Sequence, residues 1–187
     1  MAGLGELHER LHGRLWHTTR PDRVPAIMET GALMAEPNIP DAERQKTKRG
    51  PDYYPFVRKI GGVSLFDFRE FDAEAYSLRC PSSSWSYFVP HTGEGAVWIE
   101  IDRAAIAADF LSGQETYRRQ DAGGFHRNTI MPYIEAAFIG DLPVSAFRAA
   151  FLTWDRGRQV REFAVPHFDR QHYDALLREW RAACASG

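Results

Sequence analysis

Hydrophobic and polar positions change period several times along the chain. Residues 14–19, Arg-Leu-Trp-His-Thr-Thr, are bulky and β-branched, which predicts a strand. Val24, Ile27 and Met28 then recur at helical spacing. That helix has Thr19 as its cap, Pro21 in its first turn and Gly31 to close it. A short helix over residues 4–11 precedes the strand. Further strands are expected over residues 61–68, 85–89, 96–101, 129–139, 147–154 and 159–165. Short helices are expected over 71–78 and 103–110. Near the end, Tyr173, Leu176, Leu177 and Trp180 fall at i, i+3, i+4 and i+7 behind Asp169, which predicts a capped terminal helix.

Two polar stretches interrupt these elements. Residues 38–58 are broken by Pro40, Gly50, Pro51 and Pro55 and read as a long loop. Lys46, Lys48, Arg49, Arg58 and Lys59 make it and its end the most basic part of the chain, with Tyr53, Tyr54 and Phe56 interleaved. That mixture suits a solvated loop with its rings tucked down, or a phosphate and base contact. Residues 112–128 read as a second loop. Strands crowd the middle and helices flank them, without βαβ alternation, which predicts an α+β fold.

The bulk numbers narrow the class. A chain of 187 residues suits one domain, taken as residues 1–187, with a sizeable core. Hydrophobic residues at 44% and charged residues at 26% exclude a disordered chain. The net charge of -2 supplies no overall attraction for a polyanion. The N-terminal residues have no apolar core of a signal peptide, and no apolar run approaches a membrane span, so a cytoplasmic location is expected. Cys80 and Cys184 fit two free thiols of a reducing compartment better than a disulfide. His8 and His12 share a helical face without a third ligand, so no metal site is expected. No GxGxxG, P-loop or GxSxG motif occurs.

Three polar residues stand in the middle of predicted strands: His17, Ser64 and Glu135. A polar group buried in a strand costs roughly 1–3 kcal/mol unless it is paired. Three of them on separate strands suggest strands that line one cleft. Glu135 lies in Met131-Pro-Tyr-Ile-Glu-Ala-Ala-Phe-Ile-Gly140, with apolar neighbours on both sides, so it enters a pocket or pairs with a cation.

Leu15-Trp-His-Thr-Thr19, the amphipathic helix after it and Glu29-Thr-Gly-Ala-Leu33 resemble the opening of small ADP-ribosyltransferase-fold proteins. Those proteins read aromatic-His-x-Thr/Ser, then a helix ending Ile-x-x-x-Gly-x-Leu. Bacterial DNA-modifying ADP-ribosyltransferase toxins and RNA 2′-phosphotransferases share this beginning. The likeness spans roughly residues 15–152, and Tyr133 to Pro143 resembles the family's late strand and turn. It implies a central split antiparallel sheet with flanking helices and NAD as the substrate.

In that reading Glu135 is the catalytic carboxylate. His17 and Ser64 hold NAD, and the Thr18 backbone clamps the nicotinamide amide. Tyr76, Tyr87 or Phe88 stacks the nicotinamide, and Arg20 or Arg58 meets the pyrophosphate. The acceptor is a protein or a nucleic acid, and a toxin-like role with an antitoxin or regulatory partner is in keeping. Two departures stand out. Tyr133 occupies the place of the family's second carboxylate or amide, and the second strand lacks the arginine of the DNA-modifying toxins. The alternatives are a non-catalytic binding domain and an RNA 2′-phosphotransferase-like enzyme on the same fold.

Overall fold

The computed structural model describes residues 2–44, 50–83, 95–155 and 157–185. Its framework is a seven-stranded antiparallel sheet flanked by helices, an α+β arrangement. The strands are β1 (Leu15–Thr19), β3 (Gly62–Asp67), β4 (Ala96–Ile101), β5 (Phe110–Leu111), β6 (Glu135–Ile139), β8 (Phe147–Trp154) and β9 (Gln159–Phe163). Their spatial order is β5-β6-β3-β1-β4-β8-β9. A separate two-stranded ribbon joins β2 (Ala32–Leu33) to β7 (Leu142–Pro143). The helices are α1 (Ala2–Leu11), α2 (Val24–Thr30), α3 (Phe56–Lys59), α4 (Ala73–Arg79), α5 (Gly113–Ala122) and α6 (Arg170–Ala185).

Alternation along the strands builds two cores, one on each face of the sheet. Leu15, Leu65, Val97 and Leu152 join an aliphatic core that also takes Val24 and the α6 residues Tyr173, Leu176 and Leu177. Their chain neighbours Trp16, Phe66, Trp98 and Phe151 join an aromatic core beneath Leu7 and Leu11 of α1 and Tyr76 of α4. Trp16 is fixed twice. Its indole N–H donates to the Leu11 carbonyl at 2.9 Å, and its ring meets Phe151 edge-on.

Several expectations need correction. Thr19 ends β1 and caps nothing; a 3-10 turn (Pro21–Arg23) follows, and α2 starts at Val24 without a side-chain cap. Gly31 closes α2 in the left-handed conformation, as expected. Residues 103–109 form turns where a helix was expected, and Phe110 belongs to β5. The polar stretch 112–128 is largely helix α5, nucleated by the Ser112 hydroxyl accepting the Glu115 N–H at 3.2 Å. Its buried residues are Gly113, Thr116 and Gln120, so no apolar stripe announced it. The strand expected from residue 129 begins only at Glu135, because residues 132–134 form a tight turn in which Ile134 N–H reaches the Pro132 carbonyl. The long loop 38–58 contains two 3-10 turns and the start of α3. The strand expected over 85–89 lies outside the described residues, as do Lys46, Lys48 and Arg49. Asp169 caps α6, accepting the His172 N–H at 3.0 Å. Cys80 and Cys184 are free thiols. No helix among the described residues is long and apolar enough to cross a membrane.

Candidate active site

The middle of the sheet forks. β1 and β3 pair only through Leu15/Asp67 and Trp16/Phe66, although both strands continue past that point. Beyond it β1 stays with β4, where His17, Thr18 and Thr19 face Ile99, Trp98 and Val97. β3 stays with β6, where Ser64 faces Ala137.

The phase of the ladder fixes which backbone groups face the gap. The Phe68 N–H donates to the Arg14 carbonyl at 2.9 Å, so even-numbered residues of both strands direct their N–H and C=O groups at each other. Thr18 and Ser64 would form the next such pair. In its place the His17 ring enters the gap, with Nδ1 2.9 Å from the Ser64 carbonyl oxygen. The Thr18 N–H and C=O are thereby turned into the fork without a β3 partner in the ladder.

A carbonyl only accepts, so Nδ1 of His17 carries the proton and Nε2 is left as a bare acceptor. Burial pushes the imidazole down to about 4, opposed by its bond to Ser64. The ring is therefore neutral at physiological pH.

Ser64 links the fork to the carboxylate. Its hydroxyl donates to Glu135 Oε1 at 2.6 Å, and the Met131 N–H donates to Oε2 at 2.8 Å. Glu135 is 5% exposed and sits opposite Phe66 on the aromatic face, two residues along from the position opposite Ser64. His17, Ser64 and Glu135 thus form one connected line although 47 and 71 positions separate the bonded pairs. The link from His17 runs through the Ser64 backbone carbonyl, the link to Glu135 runs through the Ser64 hydroxyl, and Glu135 is the first residue of β6.

The turn before β6 is held tightly. Tyr133 has φ +63°, a conformation a bulky residue rarely adopts, and such outliers gather at functional sites. Gly113 permits it, because a Cβ there would stand 2.1 Å from the Tyr133 carbonyl oxygen. The N-terminus of α5 therefore presses directly on the backbone that supplies the Met131 N–H.

The remaining sequence candidates are less well placed. Tyr76 is 6% exposed, packs on Phe71 at 5.6 Å between ring centroids, and shares a hydrogen bond with Ser83 at 2.9 Å. Its ring is a core residue beside the site, not an open stacking surface. Burial raises its phenol further, and Glu135 adds to the rise. Arg20 binds Asp22 through two hydrogen bonds. Arg58 binds Glu36 and Asp41 and lies 3.9 Å above the Tyr54 ring. Both arginines are thus committed to carboxylates. Tyr87 and Phe88 lie outside the described residues.

Sequence reasoning missed one group beside the Tyr133 turn. Arg79, the last residue of α4, places its guanidinium 3.5 Å from the centre of the Tyr133 ring, which also meets Tyr117 of α5 at 4.8 Å. An arginine at a helix end before Cys-Pro carries no motif, so nothing in the sequence singled it out.

No family model and no curated protein sequence matches the chain. Solved structures of heat-labile enterotoxin are similar to it in part. One Escherichia coli enterotoxin mutant shares 14% identity over 88% of this chain and 80% of its own, with a TM-score of 0.36. A second enterotoxin mutant shares 14% over 86% and 79%, at 0.36. An enterotoxin double mutant shares 14% over 86% of this chain and 66% of its own, at 0.37. Likeness of this size carries no argument about activity, and the site stands on its own geometry.

Proposed function

We propose that this protein is an ADP-ribosyltransferase that splits NAD and passes ADP-ribose to an acceptor. The observation that carries the reading is the sheet fork. There a neutral imidazole bonds the Ser64 backbone carbonyl, and the hydroxyl of the same serine bonds a buried carboxylate, beside an unladdered backbone N–H and C=O.

The reaction breaks the bond between the nicotinamide nitrogen and ribose C1′, and the electron pair leaves with nicotinamide. Positive charge grows on the ribose, and a lone pair of the acceptor forms the new bond to C1′ while the acceptor gives up a proton to solvent. Glu135 suits the developing charge, since a carboxylate fixed in advance needs no reorganisation when that charge appears. Ser64 and the Met131 N–H aim it. The bare Nε2 of His17 accepts from a ribose hydroxyl. The Thr18 N–H and C=O offer a donor and an acceptor side by side, matching a carboxamide.

The test is nicotinamide release from labelled NAD by the parent and by Glu135→Gln. The amide keeps an oxygen for the Met131 N–H, and the Ser64 hydroxyl can turn to accept from its NH2, so the fold is retained. Release should fall about a hundredfold or more, the scale seen when one preorganised electrostatic group is removed. NAD should also raise the melting temperature of the parent. Absence of both release and stabilisation, or a variant equal to the parent, refutes the reading.

A further inference from the structure

We infer that Asn128, held by Gln120, is a positioning residue for the Glu135 carboxylate and acts on it through the Met131 N–H. The structural link stands by itself; its effect on turnover rests on the transferase reading of the Glu135 site.

Helix α5 buries one face, and no hydrophobic side chain lies on it. Gly113, Thr116 and Gln120 fall at i, i+3 and i+7, one above the other. Both ends of this face grip the segment that leads into β6. Gly113 presses on the Tyr133 carbonyl at one end. Two turns later the Gln120 side-chain amide donates to the Asn128 carbonyl at 2.5 Å and to the Phe125 carbonyl at 3.3 Å.

Asn128 passes that hold along the chain. Residues 121–127 before it are exposed, whereas Asn128 is 6% exposed, and a buried amide is kept where its bonds are met. Its backbone N–H donates to the Phe125 carbonyl at 3.0 Å, and its side-chain NH2 donates to the Tyr54 carbonyl at 2.7 Å. Thr129 continues the contact, its carbonyl accepting the Phe56 N–H at 2.9 Å. Residues 128–129 are thus pinned to residues 54–56. Ile130 alone separates this anchor from Met131, whose N–H donates to Glu135 Oε2 at 2.8 Å and whose carbonyl accepts the Glu135 N–H at 3.0 Å. Tyr133 is fixed from the other side. The Met131 N–H therefore hangs between two anchors, and both run back to α5.

Without the Asn128 amide the upstream anchor loosens, and the Met131 N–H loses its fixed direction towards Oε2. A carboxylate that must be re-aimed during the reaction gives up the advantage of being set beforehand. The NAD contacts of the transferase reading, His17 and Thr18, lie on β1 and keep their partners. The loss therefore falls on kcat and leaves KM alone.

The experiment pairs amide hydrogen exchange, read by NMR without NAD, with kcat and KM for nicotinamide release, in the parent, Asn128→Ala and Gln120→Met. Methionine keeps the length of Gln120 and removes its donor. In both variants the Met131 N–H should exchange about tenfold faster or more, while the amides of β4 and β8 exchange as in the parent. The kcat should fall about tenfold or more, with KM within about twofold of the parent. If Asn128→Ala does not fold, Gln120→Met, which removes only the bond that orients Asn128, decides the matter.

Four results overturn the proposal: Met131 exchange equal to the parent's, protection lost equally at Met131 and across β4 and β8, an unchanged kcat, or a KM that rises while kcat holds. The second would make Asn128 a stabilising residue only. A parent that releases no nicotinamide sinks the transferase reading instead, and Met131 exchange then decides the positioning by itself.

Discussion

Acidification should weaken the fold through His17 in a calculable way. The imidazole titrates near 6.5 in an unfolded chain and at about 4 in the folded protein. Above pH 6.5 it is neutral in both states and contributes no pH dependence. Between 6.5 and 4 the unfolded chain takes up a proton that the folded protein refuses, so stability falls as pH falls. At about 1.36 kcal/mol per pH unit, a gap of about 2.5 units amounts to roughly 3 kcal/mol. The carboxylates also titrate towards the acid end, so the parent must be compared with His17→Asn. Asparagine places an amide N–H near the position of Nδ1 and keeps a donor for the Ser64 carbonyl, yet it does not titrate. Urea denaturation of both proteins from pH 7 to pH 4 isolates the term. The stability of the parent relative to the variant should drop by about 3 kcal/mol across that range. The histidine C2–H resonance that is missing from the variant should titrate at about 4 in an NMR series. A resonance that titrates near 6.5, or a stability difference that stays flat with pH, would refute the burial argument and the neutral Nε2 acceptor that follows from it.

Two other substitutions probe the supports of the site and fold. Gly113→Ala drives a Cβ into the Tyr133 carbonyl; the clash is with backbone and not with the end of a flexible side chain, so the turn must move. It should cost about 1–3 kcal/mol in denaturant titration and lower nicotinamide release by displacing the Met131 N–H from Glu135. A variant that melts and turns over like the parent contradicts the tight contact. Tyr173→Phe removes the buried hydroxyl that donates to the Pro21 carbonyl at 2.7 Å and ties α6 to the 3-10 turn after β1. It should cost about 1 kcal/mol or somewhat more, because the carbonyl is left without that donor. An unchanged midpoint would mean that water replaces the bond.

Local pattern determined much of this protein before any coordinates. The run Leu15 to Thr19 could scarcely be anything but a strand, and Gly31 had to end α2. The stripe of Tyr173, Leu176 and Leu177 had to face a core, because these features depend on neighbours within a turn or two of chain. The three polar residues were legible for a related reason: a polar side chain among apolar strand neighbours needs a partner wherever the strand goes.

Tertiary structure alone decided the rest. The Ser112 cap was present in the sequence, but α5 buries Gly113, Thr116 and Gln120, and a helix whose inner face is small or polar leaves no hydrophobic period to detect. Which arginines are free depends on which carboxylates the fold brings near them, so Arg20 and Arg58 proved occupied while Arg79 found a ring. The fork is the clearest case. It arises because β1 and β3 keep faith with different neighbours after two shared pairs, and the register between strands some fifty residues apart is set by packing on both faces of the sheet.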